Sequence, residues 1–305
     1  MESPIIHIGY HKTGTTWFQN NFYPKITNIQ YIDRNFVQNL FIKERSFHFD
    51  ENEVKKNLST NFINSKRIVL CEEELSGNIH SGGLHGCLTK EMSYRIKAVF
   101  PNGKIIIFIR NQIDMITSIY LQYLKKGGNY NINEYLYHTY THNNRFPLFS
   151  FEHLNYIQII THYETLFGKE NVHVYLYEDF LKDNDQFIKN FASEFNLEYS
   201  FKDMDFSKRN IKYKRCTFHL SKLLNSFTKH DVLNKYYLIN VPYLYDISRT
   251  ILKKLDKALY FDKAVDNESV LGNGNIKYIK KYYKLCNNEL KSKYKLDLDY
   301  YDYPL

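Results

Sequence analysis

The chain has 305 residues, 43% of them hydrophobic, and 41 Lys and Arg stand against 33 Asp and Glu for a net charge of +8. This is enough chain for one large α/β domain, the preferred reading, or two small ones, and its basic balance favours anionic ligands such as phosphates, sulfates or acidic glycans; no nucleic acid partner is expected. Four scattered cysteines, Cys71, Cys87, Cys216 and Cys286, exclude a disulfide framework and a structural zinc, and no apolar run approaches the ~20 residues of a membrane helix.

Pro4 to Ile8 reads as a first strand that ends at Gly9, and Trp17 to Phe22 has helical spacing. No basic-then-apolar leader precedes that strand, so a reducing, cytoplasmic location is expected. Arg67 to Cys71 is a second β-rich run that stops at Glu72-Glu73-Glu74. Lys104 to Ile109 is a third, ending in Arg110 and leading into a helix over Ile113 to Leu124. Val172 to Tyr177 is a fourth, followed by Glu178-Asp179 and a helical segment through Phe195. Continuously apolar strands alternating with helices predict a central parallel sheet covered on both faces, with ligands beyond the strands' carboxyl ends. Lys202 to Arg215 is polar and basic, a linker or a loop over the site. Phe218 to Leu259 and Ile276 to Tyr294 read as helices, interrupted by Gly272-Asn273-Gly274-Asn275, and Leu296 to Leu305 as an extended packed tail. The expectation is one domain over 1–305, with a sheet-containing nucleotide-binding core in 1–200 and a mainly helical part in 216–305.

Gly9-Tyr10-His11-Lys12-Thr13-Gly14-Thr15-Thr16 lies between strand and helix, where loop amides and a helix N-terminus cradle phosphate oxygens. In the P-loop of nucleotide triphosphatases the lysine directly precedes the terminal Ser or Thr; here Thr15 holds that position and the lysine stands earlier, at Lys12. From the loop crest a lysine reaches the oxygen that bridges phosphate and a transferring group. No magnesium partner is evident, and no metal is expected.

The run His7 to Gln19, H-I-G-Y-H-K-T-G-T-T-W-F-Q, resembles the 5′-phosphosulfate loop of the sulfotransferases that use 3′-phosphoadenosine-5′-phosphosulfate (PAPS), in their bacterial form. Arg110, followed by Ser118 eight residues on, resembles that family's 3′-phosphate segment, with Gln112 where the family usually has Pro. The resemblance implies a P-loop-type fold, PAPS as donor and PAP (3′-phosphoadenosine-5′-phosphate) as product. His11, Lys12, Thr13, Gly14, Thr15, Thr16 and Trp17 are then expected to hold the 5′ side, and Arg110 and Ser118 the 3′-phosphate. Tyr175-Leu176-Tyr177-Glu178-Asp179 is similar to the strand whose tyrosine packs at the adenine, a role carried to Tyr177. The basic-Gly cofactor loop of cytosolic relatives has no clear counterpart, and Gly272 to Asn275 is the candidate replacement.

Attack on sulfur by a hydroxyl requires a proton acceptor. Glu73 is the candidate, because Glu73-Glu74-Leu75-Ser76 resembles a Glu-x-Leu-Ser segment of bacterial and glycan-modifying sulfotransferases; His80 and His85 compete. A Glu base leans toward a carbohydrate or glycan acceptor. A P-loop kinase and a noncatalytic nucleotide-binding protein remain the alternatives.

Overall fold

The computed structural model describes residues 2–62, 66–138, 147–200, 204–206, 214–229, 237–258 and 262–305. A single α/β domain is built on five parallel strands, β1 (Ile5–His7), β2 (Ile29–Ile32), β3 (Arg67–Cys71), β4 (Lys104–Ile109) and β5 (Val172–Leu176), in the order β2-β3-β1-β4-β5. Strand β1 lies between β3 and β4, with Ile6 opposite Leu70 on one side and Ile105 on the other. Its three residues are fully buried, and alternation divides them between two cores. Ile6 and Ile8 join Leu70, Ile105, Ile107 and Ile109 in the larger cluster; Ile5 joins Val69, Ile106, Phe108, Phe18 and Phe191 in the smaller. Burial on both faces is why the central strands are largely apolar without polar alternation, and His7 of β1 is enclosed against Phe18, Tyr23 and Phe108.

The helices that bear on the site are α1 (Thr15–Trp17), α2 (Arg34–Val37), α3 (Glu51–Asn61), α4 (Cys87–Val99), α5 (Gln112–Lys125), α6 (Ile132–Leu136), α7 (Tyr156–Phe167), α8 (Tyr177–Lys182) and α9 (Asn184–Glu194). Later come α10 (Arg215–Asn225), α11 (Leu244–Ala258), α12 (Asn267–Leu271) and α13 (Asn273–Tyr294). Helix α1 continues as a π-turn over Phe18–Phe22 and a 3-10 turn over Tyr23–Lys25.

Three sequence expectations are corrected, and one strand had no counterpart among them. Phe218 to Leu259, expected helical throughout, holds α10 and α11 with non-helical residues 226–229 and 237–243 between them, 230–236 and Leu259 lying outside the described residues, and the segment running to Phe195 is split, by Asp183 capping α9. Gly272 to Asn275 is no loop: Gly272 takes a positive φ of 78° before α13, and Asn273, Gly274 and Asn275 form its first turn. Asn275 is engaged there by Tyr137 and Asn133, which leaves it as a helix-packing residue. Finally, strand β2 was not apparent from the sequence, since Gln30 and Tyr31 interrupt its apolar pattern.

The C-terminal tail folds back through turns. Leu298 and Tyr303 are buried in the larger core, Asn287 donates to the Pro304 carbonyl, and Asn111 donates to the Tyr301 and Asp302 carbonyls. The tail therefore braces the turn that carries Arg110.

Candidate active site

Every polar group singled out at a strand end lies at the carboxyl edge of the sheet. The loop after β1 is anchored by Tyr10, whose amide donates to the Phe108 carbonyl and whose ring is buried against His153 and Tyr156. Thr13 Oγ1 donates back to the Tyr10 carbonyl and closes the turn. Lys12 takes a left-handed conformation, φ 62°, and Gly14 follows at φ 88° as the cap of α1. Among the described residues, the amides of 12–16 donate to no protein acceptor, while Trp17 and Phe18 return to the Gly14 carbonyl. A row of unpaired amides at a helix N-terminus is the geometry that takes an anion's oxygens.

A left-handed lysine costs about 1 kcal/mol unless something holds it. Arg110 does so, with Nη1 donating to the Lys12 carbonyl at 3.1 Å. Arg110 also lies over the Tyr177 ring, 5.2 Å from its centroid, and its own carbonyl accepts from Tyr156 Oη at 2.7 Å. The three strand ends are thus joined, β1 through Lys12, β4 through Arg110 and β5 through Tyr177. Gly14 completes the packing, since a Cβ there would stand 3.2 Å from Tyr177 Cε2. Burial, then the charges of Lys125 and Arg110, push the Lys12 ammonium down to about 8, against a smaller opposing pull from Glu73.

The turn into α5 explains the replacement of proline. Asn111 caps the helix by accepting from the Ile113 amide, and Gln112, fully buried, exchanges hydrogen bonds with Asn287 at 2.8 and 3.1 Å. Glu178 accepts from the Asn111 amide and from Tyr303 Oη. Ser118 lies on the half-exposed stripe of α5 with Asp114 and Gln122. It is roughly 9 Å along the helix from Gln112.

Trp17 is placed differently from a free stacking surface. Its ring stacks on Phe206 at 5.0 Å and Phe22 at 6.1 Å, and Nε1 donates to the Asp205 carbonyl. Residues 204–206 thus fasten onto α1 from the polar segment expected to cover the site; the rest of Lys202 to Arg215, apart from Lys214 and Arg215, lies outside the described residues.

The glutamates diverge. Glu72, fully buried, accepts from Arg34, Gln38 and the Glu74 amide, and burial, with the neighbouring Glu73 charge, raises its carboxyl. Glu73 begins a 3-10 turn and accepts from Gln19 Nε2 at 3.0 Å, with Arg34 Nη2 also at 3.0 Å. It packs directly beneath the phosphate loop, for a Cβ on Gly9 would stand 3.2 Å from its Cα and Cβ. Glu74 turns to His11 Nε2 and Asn78, each 3.3 Å away. Burial opposes its ionisation, but those two hydrogen bonds prevail and hold the carboxyl below its usual range. Strand alternation anticipated that all three could not share one pocket; it did not reveal Arg34, which bridges Glu72 and Glu73 from α2.

His80 is enclosed near this cluster, with both ring nitrogens lacking a hydrogen-bond partner among the described residues. Burial, then the charges of Lys126 and His11, push it down to about 3, so it is neutral at pH 7. His85 is exposed, at φ 58°. His153, also buried and neutral, flanks Gly77 and Gly83 and has no counterpart in the sequence reading. Lys125 and Lys126, whose charges bear on Lys12, were equally illegible, because only the fold returns the end of α5 to the loop.

Comparison with known proteins bears on the fold and the family. No curated protein is a significant match. Among solved structures, a sulfotransferase from Alicyclobacillus acidocaldarius is similar at 16% identity and a TM-score of 0.50, covering 69% of this chain and 87% of that one. Mouse sulfotransferase SULT7A1 complexed with PAP aligns at 12% identity and a TM-score of 0.45, over 94% and 84% of the two chains. The profile of the sulfotransferase domain matches residues 2–236, most of the chain and all the strand ends described above. The chain belongs to the PAPS-dependent sulfotransferase family.

Proposed function

We propose that this enzyme transfers the sulfuryl group of PAPS to a hydroxyl or amine, with a carbohydrate or glycan as the acceptor class. The observation that carries the reading is the convergence of Lys12, Arg110 and Glu73 at the carboxyl ends of adjoining strands, Arg110 holding the Lys12 backbone and Glu73 packed beneath the same loop. The unpaired amides of 12–16, with Thr15 and Thr16, receive the 5′-phosphate, and His11, tied to Glu74, fixes the crest. Arg110 and Ser118 take the 3′-phosphate. A guanidinium suits that oxyanion because it donates bidentately and keeps its charge. Tyr177 lines the adenine, while Trp17, already stacked on Phe206, forms the wall behind it.

In the transfer step the acceptor oxygen attacks sulfur in line, the bond from sulfur to the bridging oxygen breaks, and PAP departs. Lys12 offsets the charge that gathers on that oxygen, and Glu73 takes the acceptor's proton. Arg34 and Gln19 aim its carboxylate. Preorganised donors of this kind are commonly worth ~3 kcal/mol each in the barrier. His80 is the second reading of the base, because it is enclosed near Glu73 with both ring nitrogens lacking a partner among the described residues, but burial and the charges of Lys126 and His11 disfavour its protonated form and so favour Glu73. Screening sulfur-labelled PAPS against sugars, glycolipids and phenols tests the acceptor class: label in a sugar-bearing product upholds it, and label only in phenols overturns it.

A further inference from the structure

Beyond the residues matched by the sulfotransferase profile lies a surface that the transfer chemistry does not use. Helix α11 buries Ser248 and Leu252 and is packed on α10 by Arg249, which donates to Ser221 and Asn225. The adjoining face, roughly 100° around the helix, is apolar at the amino end: Ile247 and Ile251, one turn apart, are 53% and 47% exposed. The strand of chain entering the helix adds Leu238 at 76%, Ile239 at 66% and Tyr243 at 81%. These side chains are not exposed for want of backbone order. Leu238 and Val241 donate to the carbonyls of Ser226 and Phe227, and Asn240 accepts from the Lys229 amide, so the chain is pinned with its apolar residues outward. Seven of the exposed large apolar side chains among the described residues fall between Tyr237 and Ile251, a density along the chain that points to an interaction site where isolated exposed leucines would not.

The charge beside it selects the partner. Lys254 continues the line of Ile247 and Ile251 at helical spacing, and Lys253 and Lys257 flank it, all three exposed. Exposed apolar side chains in the entering segment and at the amino end of α11, followed by lysines toward its carboxyl end, suit a segment that lies in a membrane interface, its apolar side chains in the acyl boundary and its ammonium groups at anionic headgroups. Among the described residues no helix is long and apolar enough to cross a membrane, so the contact is one of surface. The patch also adjoins the site, because Tyr245 of α11 donates to the carbonyl of Lys125, whose charge bears on Lys12.

We propose that residues 238–257 dock the enzyme on an anionic lipid surface, Leu238, Ile239, Tyr243, Ile247 and Ile251 entering the interface and Lys253, Lys254 and Lys257 pairing with headgroups. The full chain is to be co-sedimented with phosphatidylcholine vesicles and with vesicles containing phosphatidylglycerol. It should partition strongly onto the anionic vesicles and weakly onto the neutral ones, with binding that falls as salt rises. Replacing the three lysines by Gln should lower partitioning by roughly a hundredfold, since each lysine near such a surface contributes about a factor of five. Ile247→Ser with Ile251→Ser should lower it at least tenfold while PAP still raises the melting temperature as in the unmodified chain, which separates loss of docking from loss of fold. Equal binding to both vesicle types, or partitioning that neither set of substitutions changes, overturns the proposal. So does a dimer in solution that the isoleucine substitutions dissociate, which would make the face a contact between two copies.

Discussion

Lys12 offers the most discriminating test, because its assigned role requires a charge that the fold makes costly. Burial first, then Lys125 and Arg110, bring its ammonium down to about 8 in the free enzyme. Protonated, it offsets charge on the bridging oxygen; neutral, it does not. The sign follows directly: kcat/KM for PAPS is fully developed below pH 8 and falls as pH rises through that value. At pH 9 about a tenth of the free enzyme retains the proton, so kcat/KM drops roughly tenfold from its plateau. Lys12→Arg keeps a charge that does not titrate, so its activity, though lower because a guanidinium is bulkier and planar, should lack this alkaline fall up to about pH 10. Lys12→Ala should lose roughly a hundredfold in turnover, about 2.7 kcal/mol, with PAP affinity within about tenfold. The assay is initial rate against PAPS at saturating acceptor from pH 6 to 10. An identical alkaline limb in Lys12→Arg would refute the argument.

Glu73→Gln should lower transfer by roughly a hundredfold with PAP binding intact, whereas Glu72→Gln should leave turnover nearly unchanged and cost about 1–3 kcal/mol in urea unfolding, because Glu72 is wholly buried among Arg34, Gln38 and the Glu74 amide. If Glu73→Gln stays active while His80→Ala abolishes transfer, the base is the histidine. Arg110→Ala should weaken PAP far more than adenosine 5′-phosphosulfate in calorimetric titration; equal losses would show that it only braces the Lys12 carbonyl. Gly14→Ala should weaken PAP at least tenfold, because at φ 88° its new Cβ stands 3.2 Å from the Tyr177 ring. Gly86→Ala, at φ 83° with no neighbour within 4 Å, should lose stability alone, and equal PAP affinities in the two variants would remove Gly14 from the site.

The parallel sheet was legible because its strands are buried on both faces and therefore apolar without alternation; β2, at the sheet edge with Gln30 and Tyr31 half-buried, was not. The strand-turn-helix setting of residues 9–17 and the place of Arg110 at a strand end were legible because their spacing to a strand is local. What the sequence hid is long-range. Arg34 meets Glu72 and Glu73 across 38 and 39 positions, Tyr303 meets Glu178 across 125, and Gln112 meets Asn287 across 175, none with a spacing that marks the pair beforehand. Gly272 to Asn275 misled for a local reason, since two glycines and two asparagines read as a loop, yet only Gly272 has a positive φ and the rest begin a helix.

The central claim, sulfuryl transfer from PAPS through a lysine-crested loop without a metal ion, is tested most directly by incubating the full chain with sulfur-labelled PAPS and a sugar acceptor mixture in the presence of EDTA. The account predicts a labelled acceptor formed in step with PAP, and loss of both in Lys12→Ala. Label that stays in PAPS, together with phosphate transfer from ATP when magnesium is restored, would contradict it.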